Sequence, residues 1–204
     1  MDSLQKFYGD SMAYVVYYTG VTHPELVSPG GNARAEWYGV GFYSPVAFFD
    51  GIARAPQVTV PDSFYSVYRD MIEGARAQKA MMEIRVDSCR IDASRMRVWL
   101  HITPTDSSLD TMSSLRLLAV VFEDSVPYYS YLREDTVFSP LTARQVLGDS
   151  FGVPVRLKFG QVFDTLLTAE VAGYNINRTG IVVSVQSFAT KVVYQSVVRW
   201  RIRN

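Results

Sequence analysis

One cysteine, Cys89, and two histidines, His23 and His101, are the whole thiol and imidazole inventory of this 204-residue chain. A single cysteine excludes an intrachain disulfide, a CxxC redox pair and a cysteine-built zinc centre. An excess of either charge is also missing, because 20 Lys and Arg stand against 20 Asp and Glu. A general nucleic-acid or polyanion binder needs a basic surface that displaces counterions, so that class drops out. Apolar runs such as residues 115–122 fall far short of the roughly 20 residues that span a bilayer. The first six residues, Met-Asp-Ser-Leu-Gln-Lys, carry neither the basic start nor the apolar run of a signal peptide. What the chain does have is apolar bulk, 48% hydrophobic and 13% aromatic. That is enough to build a core and to exclude disorder, in one large domain or two small ones.

Residues 1–8 read as the tail of a helix that Gly9 stops. Residues 12–18, Met-Ala-Tyr-Val-Val-Tyr-Tyr, lack polar alternation, as in a strand buried on both faces. His23-Pro24 and Ser28-Pro29-Gly30-Gly31 break the chain into a loop over 19–31. Asn32 is placed to cap a short helix that runs through Trp37 and ends at Gly39. Residues 45–49 form a second buried strand, closed by an Asp50-Gly51 turn. Asp62 or Ser63 then caps a helix over 64–79, whose Phe64, Val67, Tyr68, Met71, Ile72 and Ala75 recur at spacings of three and four.

From Met81 the period changes to two. Residues 83–87 and 95–102 alternate across the turn Asp92-Ala93-Ser94-Arg95. Further strands are expected over 115–123, 153–159, 162–170, 181–187 and 195–202, the last with Val198, Trp200 and Ile202 on one face. Residues 127–148 read as irregular, with a helical turn at 142–147. The fold class is therefore α+β, with a small α/β unit over residues 1–80 and an antiparallel β-sandwich over 81–204.

Residues 32–51 resemble the second half of a thioredoxin-like domain. A helix ends in Tyr38-Gly39-Val40, Pro45 takes the cis-proline position after Ser44, and a strand ends in Asp50-Gly51. Residues 147–157 (Leu-Gly-Asp-Ser-Phe-Gly-Val-Pro-Val-Arg-Leu), Gly160 and residues 181–196 are similar to the Omp28-related cell-envelope proteins, which join a thioredoxin-like domain to an Ig-like sandwich. The resemblance covers most of the chain. It implies an incomplete thioredoxin-like α/β unit followed by an antiparallel Ig-like β-sandwich, in the cell envelope or outside the cell. In that family a first strand and usually a cysteine-bearing turn precede the helix that here begins at or before Met1. Without that strand, the segments at 12–18 and 45–49 would keep unmatched backbone groups, each costing a few kcal/mol if buried. Three remedies are open: the chain is a fragment of a longer one, another chain donates the strand, or the two segments pair directly.

Cys89 follows an alternating run and reads as a small buried or edge side chain, not as the exposed thiolate that redox catalysis needs. Gly148-Asp149-Ser150-Phe151-Gly152 matches the G-x-S-x-G string, but Val153-Pro154-Val155 cannot start the helix a nucleophile elbow requires. It reads as a turn into a strand. His101 reads as a half-exposed sheet residue. Asp106 and Asp110 flank a serine pair but lack the glycine and glutamate of a calcium loop, and read as a solvated turn. Two places remain for binding. By the thioredoxin resemblance, Ser44 and Pro45 mark where such folds meet extended peptides. Tyr128, Tyr129 and Tyr131 lie beside Pro127 in a segment with no periodic core to serve. Tyrosine gives large rigid contact area, suited to a protein partner or to stacking on a sugar.

These readings together point to a non-enzymatic secreted or cell-envelope interaction or structural protein. It would work through protein partners or self-assembly, with strand donation as one mode. The alternatives are a carbohydrate- or ligand-binding module using residues 128–131, and a fragment of a thioredoxin-like thiol-disulfide oxidoreductase. No cofactor, metal, nucleic acid or membrane span is expected.

Overall fold

The computed structural model describes residues 2–20, 23–28, 30–40, 46–56 and 61–200. Helix α1 (Asp2–Tyr8) gives way at Gly9 to a 3-10 turn, as its sequence implies. Helix α2 (Gly31–Tyr38) sits between two left-handed glycines, Gly30 and Gly39. Asn32 is therefore not its cap, and its Oδ1 accepts instead from the Gly20 N–H at 3.4 Å. A two-residue hairpin, β1 (Phe48–Phe49) with β2 (Ala53–Arg54), turns at Asp50-Gly51, both at positive φ as this tight turn requires. Helix α3 (Pro61–Arg76) starts and ends three residues earlier than the expected 64–79. Proline has no N–H to leave unpaired in a first turn, so Asp62 and Ser63 lie inside the helix. Its stripe survives in part: Ile72 is buried and Tyr68 packs with it against Leu4, Tyr8 and Met12, whereas Phe64 is exposed.

The rest is antiparallel β-sheet. β3 (Met82–Asp92), β4 (Arg95–Pro104) and β10 (Phe163–Glu170) form one sheet in the order β10-β4-β3. A second has the order β12-β11-β5-β8, from β5 (Leu115–Glu123), β8 (Thr142–Val146), β11 (Thr179–Ser187) and β12 (Val193–Trp200), with β9 (Val153–Pro154) sharing the β8 edge of β5. The two sheets face each other across one core, to which β4 gives Met96, Val98, Leu100 and Ile102. Opposite them stand Leu117, Ala119 and Val121 of β5, with Ile181, Val183 and Val185 of β11.

The alternate residues of β5 and β11 are buried as well. Leu118, Val120, Phe122 and Val182 turn to the other face, where residues 13–17 cover them. This is why both strands read as unbroken apolar runs. The protein is α+β, mainly β, with the helical N-terminal segment laid over the outer face of the five-stranded sheet.

Three expectations need correction. Residues 12–18 are not a laddered strand. They make two isolated parallel bridges, Val16 to Thr142 and Tyr18 to Val27, with the Val16 N–H donating to Leu141 O at 2.9 Å. Their apolar character serves packing on the sheet face. Residues 127–148 are not irregular, because β6 (Val126–Ser130) and β7 (Asp135–Ser139) form a hairpin and 142–146 is strand β8, paired to β5, not a helical turn. Of the expected strand at 153–159 only Val153–Pro154 enters a ladder, although Val155 and Leu157 still point into the core. Ile202 lies outside the described residues.

The segments expected to flank a missing strand each find another partner. Residue 16 bridges to Thr142, and Phe48–Phe49 pairs with Ala53–Arg54. Among the described residues no sheet joins them, so the two segments do not pair directly with each other.

Candidate functional site

The hairpin β6–β7 belongs to neither large sheet. Its register sets Tyr128 against Val137 on one face, and Pro127 against Phe138 and Tyr129 against Thr136 on the other. The inner face is anchored. Val126 and Ser139 are buried, and Thr142 Oγ1 donates to Ser139 Oγ, which donates to Tyr18 Oη, each bond 2.8 Å long. Burial pushes the Tyr18 phenol above its ordinary value. His23 lies edge-on to Tyr128 at 4.9 Å and stacks on Tyr131 at 6.1 Å.

The outer face and the tip are bare. Tyr129 is 47% exposed, Phe138 62%, Tyr131 71% and Leu132 94%. A Tyr129–Tyr131 edge contact at 5.3 Å holds the two outer rings together. Arg133, Glu134 and Asp135 put both charge signs at the tip, all exposed. The structure thus brings Tyr128, Tyr129 and Tyr131 onto one hairpin but splits their roles: Tyr128 is an anchor and the other two are presented. Sequence reading missed His23, Leu132 and Phe138. The alternation Thr136, Phe138 after the charged Arg133-Glu134 stretch was the available sign of a returning strand.

A second aromatic locus joins α2 to the sandwich. Trp37 stacks on Phe188 at 5.5 Å, and Phe151 meets both rings at 5.3 Å. Gln186 Nε2 donates to Tyr38 Oη at 2.6 Å and to Lys191 O at 2.7 Å. Arg34, only 6% exposed, lies over the rings of Tyr17, Trp37 and Tyr38. Its guanidinium reaches Ser150 O and Gln186 Oε1 at 3.4 and 3.5 Å. Arg34 Nε and Tyr17 Oη are buried with no hydrogen-bond partner among the described residues. This locus is a clasp between layers, with no exposed face comparable to the hairpin.

Ser44 and Pro45 lie outside the described residues. Cys89 is buried, and burial pushes its thiol up to about 12, so at neutral pH it is not a thiolate. Residues 148–152 form a tight turn into β9, with the Phe151 N–H donating to Asp149 Oδ1 at 2.8 Å. A strand, not a helix, follows Ser150. His101 is half-exposed and its Nδ1 sits 2.8 Å from Asp164 Oδ1. Asp106 caps the turn Ser107–Thr111, and hydrogen bonds from the Ser108 hydroxyl and N–H hold its carboxyl below the ordinary range. Asp110 Oδ1 accepts from the Phe159 N–H at 2.7 Å. Among the described residues no three His, Cys, Asp or Glu side chains gather as metal ligands, and no helix is long and apolar enough to cross a membrane.

No family model matches the chain, and no curated protein matches it. Among solved structures it is similar to HBP35 of Porphyromonas gingivalis, with a TM-score of 0.56 and 12% identity over 66% of this chain and 45% of HBP35. A domain of the outer membrane lipoprotein Omp28 from the same organism aligns with a TM-score of 0.40 and 17% identity, covering 60% of this chain and 89% of that domain. A β-glucosidase from Kluyveromyces marxianus aligns with a TM-score of 0.32 and 9% identity over 61% of this chain and 14% of its own. The chain spans less than half the length of HBP35, and at that identity the likeness is one of fold.

Proposed function

We propose that the chain is a non-enzymatic interaction protein of the cell envelope that associates with further copies of itself through the outer face of the β6–β7 hairpin. One observation carries this reading. A hairpin anchored at its base presents Tyr129, Tyr131, Leu132 and Phe138 to solvent on a strand pair that, among the described residues, ladders with no third strand. A second copy suits it as occupant for two reasons. The chain has no net charge to repel its copies. The tip also carries Arg133 beside Glu134 and Asp135, so a two-fold relation sets each sign against its opposite. The envelope location rests on the resemblance of residues 147–157 and 181–196 to Omp28-related sequences.

Burying a large apolar side chain contributes about 1.5–3 kcal/mol, against an association cost of about 4–15 kcal/mol. The four exposed side chains of one hairpin would contribute about 6–12 kcal/mol if they went from fully exposed to fully buried, and less in proportion to the burial each already has. Edge pairing of backbone must add to them, and the association is weak and concentration-dependent. Light scattering over a wide concentration series tests this. A mass that rises with concentration, and stays at one chain when Leu132 and Phe138 are both changed to Ser, supports the proposal. A single-chain mass at every concentration overturns it, and sugar binding by that monomer would then favour the carbohydrate reading.

A further inference from the structure

The outer face of the three-stranded sheet carries a feature that self-association does not use. Because β4 turns Met96, Val98, Leu100 and Ile102 into the core, it leaves Arg95, Arg97 and Trp99 outside. The register sets Arg90 of β3 directly opposite Arg97, and Trp99, 38% exposed, stands two residues along from Arg97 on the same face. Like charges facing each other across a ladder repel. Neighbouring positions are compensated: Arg85 donates to Asp87 at 2.6 Å and His101 meets Asp164 at 2.8 Å. Among the described residues neither Arg90 nor Arg97 has a carboxylate within ion-pair distance.

The two arginines, Asp92, Ile91 and Trp99 line an open groove of about 300 Å³. That is the lower end of the range that holds a small ligand. An indole face takes a flat apolar ring surface, and guanidinium forks take a carboxylate in paired hydrogen bonds. Asp92 supplies an acceptor for hydroxyls at the same groove. A balanced overall charge argues against a long polyphosphate track, while two arginines against one aspartate give this groove a local positive excess.

We propose that the groove formed by Arg90, Arg97 and Trp99 binds a single carboxylate-bearing sugar, one uronate unit recognised on its own and not a polyanion tracked along its length. The pyranose ring stacks on Trp99 and its carboxylate lies between the two guanidiniums. Calorimetry of the full chain with oligogalacturonate tests it, against the methyl-esterified oligomer and a sulfated oligosaccharide of equal length. Oligogalacturonate should bind, and Arg90→Gln, Arg97→Gln and esterification of the ligand should each weaken it about tenfold or more, the loss of a charge-assisted bond. Trp99→Ala should do the same while Trp99→Phe retains most of the affinity. Arg85→Gln, an equal charge change on the same face, should leave binding intact. Absence of binding, equal binding of the ester or the sulfated oligomer, or an equal loss with Arg85→Gln would each overturn the proposal. Arg85→Gln should leave thermal stability nearly unchanged, Arg90→Gln and Arg97→Gln should hold or slightly raise it by relieving their mutual repulsion, and each binding loss is read on protein that circular dichroism shows to be folded. The Leu132 and Phe138 changes should not alter sugar binding, which keeps this result separate from self-association.

Discussion

Arg144 Nε donates to Glu123 Oε2 at 2.9 Å, and of the described ion pairs this one is the least exposed. Arg144 Nη1 also donates to Glu25 O at 2.6 Å, and the Asn175 N–H donates to Glu123 Oε1 at 3.0 Å. The pair therefore ties the N-terminal segment, two strands and the loop before β11 together. Removing one member leaves the other charge stranded in a largely dry site, which costs about 3–5 kcal/mol when burial is complete. We expect Arg144→Met to lower stability by about 2–4 kcal/mol, with much of the loss recovered when Glu123→Met is added. Urea denaturation of the two single variants and the double variant checks this. A shift within experimental error for Arg144→Met would contradict it.

Arg34 is the opposite case. It is more buried than Arg144, yet rings and two long hydrogen bonds surround it in place of a carboxylate. Taking its charge out of water is repaid only in part, so an apolar side chain of similar length fits at little loss. Arg34→Met should change stability by about 1 kcal/mol or less. A loss as large as that of Arg144→Met would show that the three rings hold the cation more strongly than an acid would.

The sequence made some of this legible and hid the rest for physical reasons. β5 and β11 stood out because both faces are buried, so their apolar runs are continuous. The same logic misled at 12–18, where the apolar run packs on a sheet face and finds only isolated bridges, at Val16 and Tyr18. A run of hydrophobic residues reports burial and does not name the backbone partner. β8 was hidden because Thr142-Ala143-Arg144-Gln145-Val146 has no clear alternation, although its partner β5 was plain. In the candidate site, Tyr128, Tyr129 and Tyr131 were legible as tyrosines without a core. That Tyr128 faces inward depended on the hairpin register, and Pro127 argued against any strand there. The Arg90–Arg97 opposition was within reach, because the Asp92-to-Arg95 turn fixes it by counting back two residues on each side.

Gly51 makes a different test. At φ 75° it turns the β1–β2 hairpin, and a Cβ there would run into the Lys191 carbonyl oxygen. The Val193 N–H donates to Asp50 O at 2.9 Å, so the hairpin tip is docked on the β11–β12 connection. Gly160, at φ 71°, has nothing within 4 Å of its Cβ position. Gly160→Ala should therefore cost only the left-handed backbone penalty, about 1–2 kcal/mol. Gly51→Ala pays the same penalty and also forces the hairpin off Lys191, and should cost about twice as much or more. Equal thermal shifts for the two variants would mean that the tip is not held against the sheet.

Acid sensitivity should arise at the turn before β9. Partial burial of Asp149 works against its ionisation, but the Phe151 N–H and the Arg116 guanidinium, 2.7 Å from Oδ2, outweigh it and hold the carboxyl below its ordinary value. A folded value below the unfolded one contributes stability that is present above the ordinary carboxylate range and is lost as pH falls through the lowered value. Asn at this position keeps an oxygen for the Phe151 N–H and loses only the charge pair with Arg116. Asp149→Asn should cost less than about 1 kcal/mol near neutral pH, as exposed pairs do, and should flatten the acid limb of the stability curve. Asp149→Ala removes both interactions and should cost more at neutral pH while showing the same flattened limb. Urea midpoints for the parent and both variants across the acid range decide the matter. If Asp149→Asn follows the parent curve throughout, another carboxylate sets the acid response.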